Sequence, residues 1–93
     1  MNTTEYLFLQ VMEEASEISV AASKCLRFTL DHQFEAYNDT NFQRFQTEIR
    51  QLVTVLDELS KNLDRDINLS PCELKRKALA HYMGVSRHMG TLA

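Results

Sequence analysis

Three carboxylates fall within five residues at Glu13-Glu14-Ala15-Ser16-Glu17. Side chains three apart on a helix are neighbours, so Glu14 and Glu17 share one side of whatever helix carries them. Glu14 sits at the edge of an apolar stripe formed by Leu7, Val11, Ile18, Ala22 and Cys25. A carboxylate there must be paired, hydrated or bound to a cation, because burying it bare is very costly. Glu13 points furthest from the stripe and reads as solvated surface. A second anomaly of the same kind lies downstream, where Glu48 falls inside the apolar arc of Phe45, Ile49, Leu52, Leu56, Leu59 and Leu63. Gln51, three residues on, shares its side of that helix. If these two segments pair antiparallel, Glu14, Glu17, Glu48 and Gln51 converge as a hard oxygen site. Magnesium takes such ligands octahedrally and commonly bridges to phosphate oxygens.

The elements that must position these groups are helices. Gly84, Gly90 and Pro71 are the chain's only helix breakers, and Leu, Glu, Gln and Ala are plentiful, which predicts an all-α domain. The first helix is predicted from Thr4 to about Thr29. Phe8, Met12, Ala15 and Leu26 widen its apolar face, and a face that broad suits a helix with more than one neighbour. The pattern lapses from Asp31 to Thr40, a connection long for a helix hairpin. Asp39 or Thr40 caps the second helix, with Thr40 and Gln43 at capping-box spacing. After a polar link from Lys61 to Leu69, Ser70-Pro71-Cys72-Glu73 predicts a third helix with Ser70 as cap. That helix turns Leu74, Ala78, Tyr82 and Val85 inward. It also carries Lys75, Arg76, Lys77 and Arg87, a basic character the rest of the chain lacks. Such cations suit phosphates, lysine as a point charge and arginine as a bidentate fork.

Several function classes are disfavoured. The 93 residues make one small domain, for which helical oligomerisation would bury further apolar surface. A net charge of −3 gives no overall drive toward duplex DNA or anionic membranes. No stretch approaches a membrane span or a signal peptide, which points to a cytoplasmic protein. Cys25 and Cys72 match no zinc or redox spacing and read as packing residues. His32, His81 and His88 lack zinc-helix spacing, and there is neither a Gly-rich phosphate loop nor a nucleophile arrangement. Phe34, Tyr37 and Tyr82 are candidates to stack on a base, although packing between helices is the commoner use of such rings.

Taken together, these residues resemble the all-α, MazG-like nucleoside triphosphate pyrophosphohydrolases, in particular a short phage-encoded branch. The first half of the family's signature, Glu-Glu-x-x-Glu, is present as Glu13-Glu14-Ala15-Ser16-Glu17. Ala22-Ser23-Lys24-Cys25-Leu26-Arg27-Phe28 is similar to that branch's Ala-Ser-Lys-Ala-Leu-Arg-Phe run. Thr40-Asn41, Glu48 and the Lys75 to Arg87 segment also correspond. The resemblance implies a three-helix domain assembling as a dimer or tetramer, in the host cytoplasm if phage-encoded. It implies Mg²⁺, or Mn²⁺, held by Glu14, Glu17 and Glu48 and hydrolysis of an NTP or dNTP to the monophosphate and pyrophosphate. Lys24, Arg27, Lys75 and Arg87 would contact phosphates.

The chain departs from the family pattern at one place. The second half of the signature, Glu-x-x-Asp, reads Glu48-Ile49-Arg50-Gln51. A neutral amide offers one oxygen but removes a unit of negative charge from the metal site. Two functions therefore follow: a Mg²⁺-dependent nucleotide pyrophosphohydrolase, or a non-catalytic nucleotide-binding protein that sequesters a host-defence nucleotide messenger. Chelator-sensitive pyrophosphate release marks the first, and chelator-insensitive binding of an unaltered nucleotide marks the second.

Overall fold

A computed structural model describes residues 1–34, 36 and 38–93. Those residues form three helices and no strand: α1 (Thr3–Phe28), α2 (Asn41–Leu63) and α3 (Glu73–Met89). The long connection closes a hairpin, so α1 and α2 pack side by side. Thr4 Oγ1 donates to Asn62 Oδ1 at 2.5 Å at one end, and Asn41 Nδ2 donates to the Thr29 carbonyl at 2.8 Å at the other. The pair is therefore antiparallel.

Side-chain caps fix where α1 and α2 begin. The Asn2 side chain accepts from the Glu5 amide at 2.8 Å and starts α1. At α2 the expected capping box is complete: Thr40 Oγ1 accepts from the Gln43 amide, and Gln43 Oε1 accepts from the Thr40 amide. α2 ends on Asp64 in the left-handed region (φ 51°), with its amide donating to Lys61 O and the Arg65 amide to Ser60 O. At the third helix the expectation needs correction. Ser70 is not the cap; α3 starts later, at Glu73 behind Cys72, without a side-chain cap bond. Gly84 does not interrupt it, and Gly90 (φ 80°) ends it.

A 4-3-4-3 spacing organises the hairpin seam, as in coiled coils. On α1 it runs through Leu7, Val11, Glu14, Ile18, Ala21 and Cys25, all buried or half-buried. On α2 it runs through Asn41, Phe45, Glu48, Leu52, Val55 and Leu59, likewise withdrawn from solvent. Two apolar assignments shift. Ala21, not Ala22, is buried, and Ile49 lies on an exposed flank. The straight 3.6-residue period drifts by a residue over such lengths, whereas the supercoiled 3.5 period keeps Ala21 and Glu48 in register.

The largest difference concerns α3. Among the described residues it packs against neither α1 nor α2. Leu74 is 79% exposed, and Tyr82 and Val85 are exposed with it; Ala78 alone of the expected inward set is half-buried. Cys72 is also exposed, while Cys25 is half-buried, and both are free thiols. The stand-off of α3 makes the chain open. Its radius of gyration is 16.8 Å, against about 12 Å for a compact domain of this length.

Candidate functional site

The seam that holds the hairpin together also carries its two anomalous charges. Glu14 and Glu48 occupy positions that apolar residues fill along the rest of it, apart from Asn41 at the start of α2. Glu14 therefore lies within the packed face, not at its edge. Its Oε2 is buried and has no hydrogen-bond partner. Glu48 is only 7% exposed. Leaving a buried acceptor unmatched costs about 1–3 kcal/mol, so packing alone does not account for a glutamate there.

Glu48 opens toward a cleft between the two helices, lined by Glu17, Val20, Ala21, Lys24, Arg44 and Glu48. Its volume is ≈80 Å³. At about 30 Å³ per water molecule, that is room for two or three waters or a hydrated cation, not for a nucleotide. A phosphate group would have to sit at the mouth, where Lys24 and Arg44 supply positive charge. Of the four residues expected to converge, Glu17 and Glu48 line this cleft. Glu14 does not line the cleft; it sits on the seam about one turn toward the start of α1 from Glu17.

The other candidates divide clearly. Lys24 faces the cleft, and its ammonium lies 5.8 Å from the centroid of the Phe34 ring. Arg27 is outside the cleft, exposed, with its guanidinium 5.0 Å over the Phe28 ring. Phe34 packs edge-on against Phe28 at 5.2 Å and His32 at 4.6 Å, so it serves a small aromatic cluster beside the loop. Tyr37 lies outside the described residues. Gln51 is exposed and lines a shallow depression on α2 with Thr47, Arg50, Val53 and Thr54. Lys75, Tyr82 and Arg87 are on α3, which touches neither hairpin helix, so this chain does not bring them to its own cleft.

Among the described residues, no three histidine, cysteine, aspartate or glutamate side chains gather to hold a metal ion by themselves. Magnesium does not require three; it is commonly held by one or two carboxylates, waters and the phosphates of its substrate. Glu17 and Glu48, which line the same cleft, are the two carboxylates such a site would use. A larger depression of ≈480 Å³ lies between α2 and the following link, lined by Val53, Leu56, Asp57, Ser60, Asp66 and neighbouring apolar residues. It holds none of the candidate residues and no cation.

The roles of two residues in this region escaped the sequence reading. Arg44 lines the cleft one turn before Glu48, and that Arg-to-Glu spacing of four was its available signal. Asn41 is buried at 4% exposure and bonds the Thr29 carbonyl, work that its polar type at a helix start concealed. No protein-family profile, no curated protein and no solved structure matches the chain. Among the described residues no helix is long and apolar enough to cross a membrane.

Proposed function

We propose that this chain is a MazG-like, nucleotide-handling protein whose working centre is the α1–α2 seam and the cleft beside it. One observation carries the reading: two glutamates hold positions that packing would give to apolar side chains, and one has a buried oxygen without a partner. A binding role for charge explains that expenditure of stability. In the enzymatic form, Glu17 and Glu48 would hold Mg²⁺ at the cleft, with Glu14 on the neighbouring seam, and Lys24 and Arg44 would face the phosphates of an NTP or dNTP.

The reaction is attack of water on the α-phosphorus. The new bond forms between the water oxygen and phosphorus, and the bond to the bridging oxygen of the β-phosphoryl breaks. Pyrophosphate leaves with that electron pair, and a seam carboxylate accepts the proton lost by water. Bound magnesium would polarise the phosphate oxygens and lower the pKa of the attacking water.

A specific observation also favours the non-catalytic reading. Among the described residues no three histidine, cysteine, aspartate or glutamate side chains gather at the cleft to hold a metal ion, and Gln51, where the family has an acid, adds nothing there because it lies on an exposed flank. A site with two cleft carboxylates and two cations can retain a nucleotide by its phosphates without a full metal centre. A panel of linear and cyclic nucleotides, scored for binding and for pyrophosphate release with and without Mg²⁺, separates the two. Release abolished by Glu48→Ala supports the enzyme. Binding of an intact nucleotide that survives chelator supports sequestration. Neither binding nor turnover across the panel refutes both.

A further inference from the structure

One buried polar side chain on the seam is directed at backbone. Asn41 opens α2 and is 4% exposed, at a position where an apolar side chain would pack. Its Nδ2 donates to the Thr29 carbonyl at 2.8 Å and reaches the Lys24 carbonyl at 3.5 Å. Those two carbonyls bracket the end of α1. A single side chain of α2 therefore holds the last turn of α1 from the inside.

Two further features make this contact a clasp. The Asn41 amide donates to the His32 carbonyl and the Phe42 amide to the Leu30 carbonyl, each at 3.0 Å, so the returning loop is tied to the same point. Thr29 adopts φ 81° and ψ 161°, a conformation that residues other than glycine keep only where their surroundings over-determine it. The bond from Asn41 to the Thr29 carbonyl is one such tie.

What the clasp orders is the mouth of the cleft. Just beyond it, His32 and Phe34 pack edge-on at 4.6 Å, and Phe34 meets Phe28 at 5.2 Å. The Lys24 ammonium lies 5.8 Å from the centroid of the Phe34 ring, within reach of cation–π attraction. Glu17 and Glu48 line the same ≈80 Å³ cleft as Lys24, yet neither carboxylate forms an ion pair among the described residues. A lysine is a point charge on a flexible four-carbon stem, free to swing onto a nearby acid unless its course is set. Here the carbonyl at its root is met by Asn41, and the ring beside its tip is carried by the loop that Asn41 ties down.

We infer that Asn41 is a positioning residue, fixing the end of α1 and the loop so that the Lys24 ammonium stands beside Phe34 rather than on a cleft carboxylate. The use of that arrangement rests on the nucleotide reading above: a cation kept off its neighbouring acids is available to a phosphate. Asn41 touches no ligand itself and acts through Lys24.

Nuclear magnetic resonance of isotope-labelled lysine side chains tests the positioning in the ligand-free protein. The chain has four lysines, and Lys24→Arg identifies the Lys24 signal by its loss. The Phe34 ring displaces the Lys24 ε-methylene signal from those of Lys61, Lys75 and Lys77, all exposed, and Phe34→Leu removes that displacement. Asn41→Ala is expected to collapse it too, whereas Ile18→Ala, which weakens the seam away from the clasp, leaves it in place. Should Asn41→Ala alone not fold, the same collapse is read in a Thr29→Gly background, where the strain is relieved. Calorimetry with inorganic triphosphate reads the consequence. Asn41→Ala is expected to weaken binding about tenfold, the size of one lost charge-assisted hydrogen bond. In a Lys24→Gln background the same substitution is expected to change nothing further, since its effect passes through Lys24. A folded Asn41→Ala protein that keeps the Lys24 displacement overturns the inference, as does a full tenfold loss persisting without Lys24. Failure of the wild type to bind triphosphate refutes the nucleotide reading instead, and the lysine signal still decides the role of Asn41.

Discussion

Replacing Glu14 with leucine separates the two roles of the seam, holding the hairpin and holding charge. In the wild type one Glu14 oxygen is buried without a partner, between the seam positions Val11 and Ile18. Removing an unsatisfied buried acceptor recovers about 1–3 kcal/mol. A leucine adds apolar burial of up to about 1.5–3 kcal/mol if fully enclosed, and less here because the position is half-buried. A net gain of about 2 kcal/mol is expected, which for a domain of this size raises Tm by about 8–16 °C. The assay is thermal unfolding by circular dichroism at one fixed protein concentration. The same variant is expected to lose nucleotide binding or turnover, because stability and a charged site compete for one position. An unchanged or lowered Tm would refute the argument that this carboxylate is held against the packing preference of the seam.

Ile18→Ala, next along the same seam, is expected to cost about 2 kcal/mol or somewhat more by urea unfolding. Gln51→Asp is expected to leave Mg²⁺-dependent turnover and nucleotide affinity within twofold of wild type, because its side chain is on the exposed flank; a gain of tenfold or more in steady-state hydrolysis would contradict the assigned cleft. Thr29 adopts φ 81° and ψ 161°, a region that is essentially glycine's, so Thr29→Gly should raise stability by about 1 kcal/mol in chemical denaturation. Asn41→Ala removes the side chain that bonds the Thr29 carbonyl and should lower stability by about 1–3 kcal/mol, measured the same way.

Much of the hairpin was legible in the residues. Thr40 with Gln43 announced the start of α2 because capping chemistry is local, and the apolar spacing announced both long helices for the same reason. Glu48 was recognisable because a charge within a sustained apolar arc contradicts its surroundings. Glu14 was harder: one helical turn in the wrong period moves it from the centre of the face to its edge, and the same error exchanged Ala21 for Ala22. α3 illustrates the limit. Leu74, Ala78, Tyr82 and Val85 give an amphipathic pattern, and such a pattern says that a face wants cover without saying what covers it. Gln51 shows a related limit, since sharing a side with Glu48 left its remaining 60° or so of rotation about the axis undecided, and that rotation separates the cleft from the flank.

The segment from Asp64 to Cys72 joins α2 to α3 with Pro71 near its end and the Asn68 side chain accepting from the Ser70 amide. Nine extended residues reach up to about 30 Å, comparable to the 40 Å middle dimension of the chain. Under the proposed reading, the basic side chains Lys75 and Arg87 hang on that tether, because α3 packs on neither of the helices that carry the cleft.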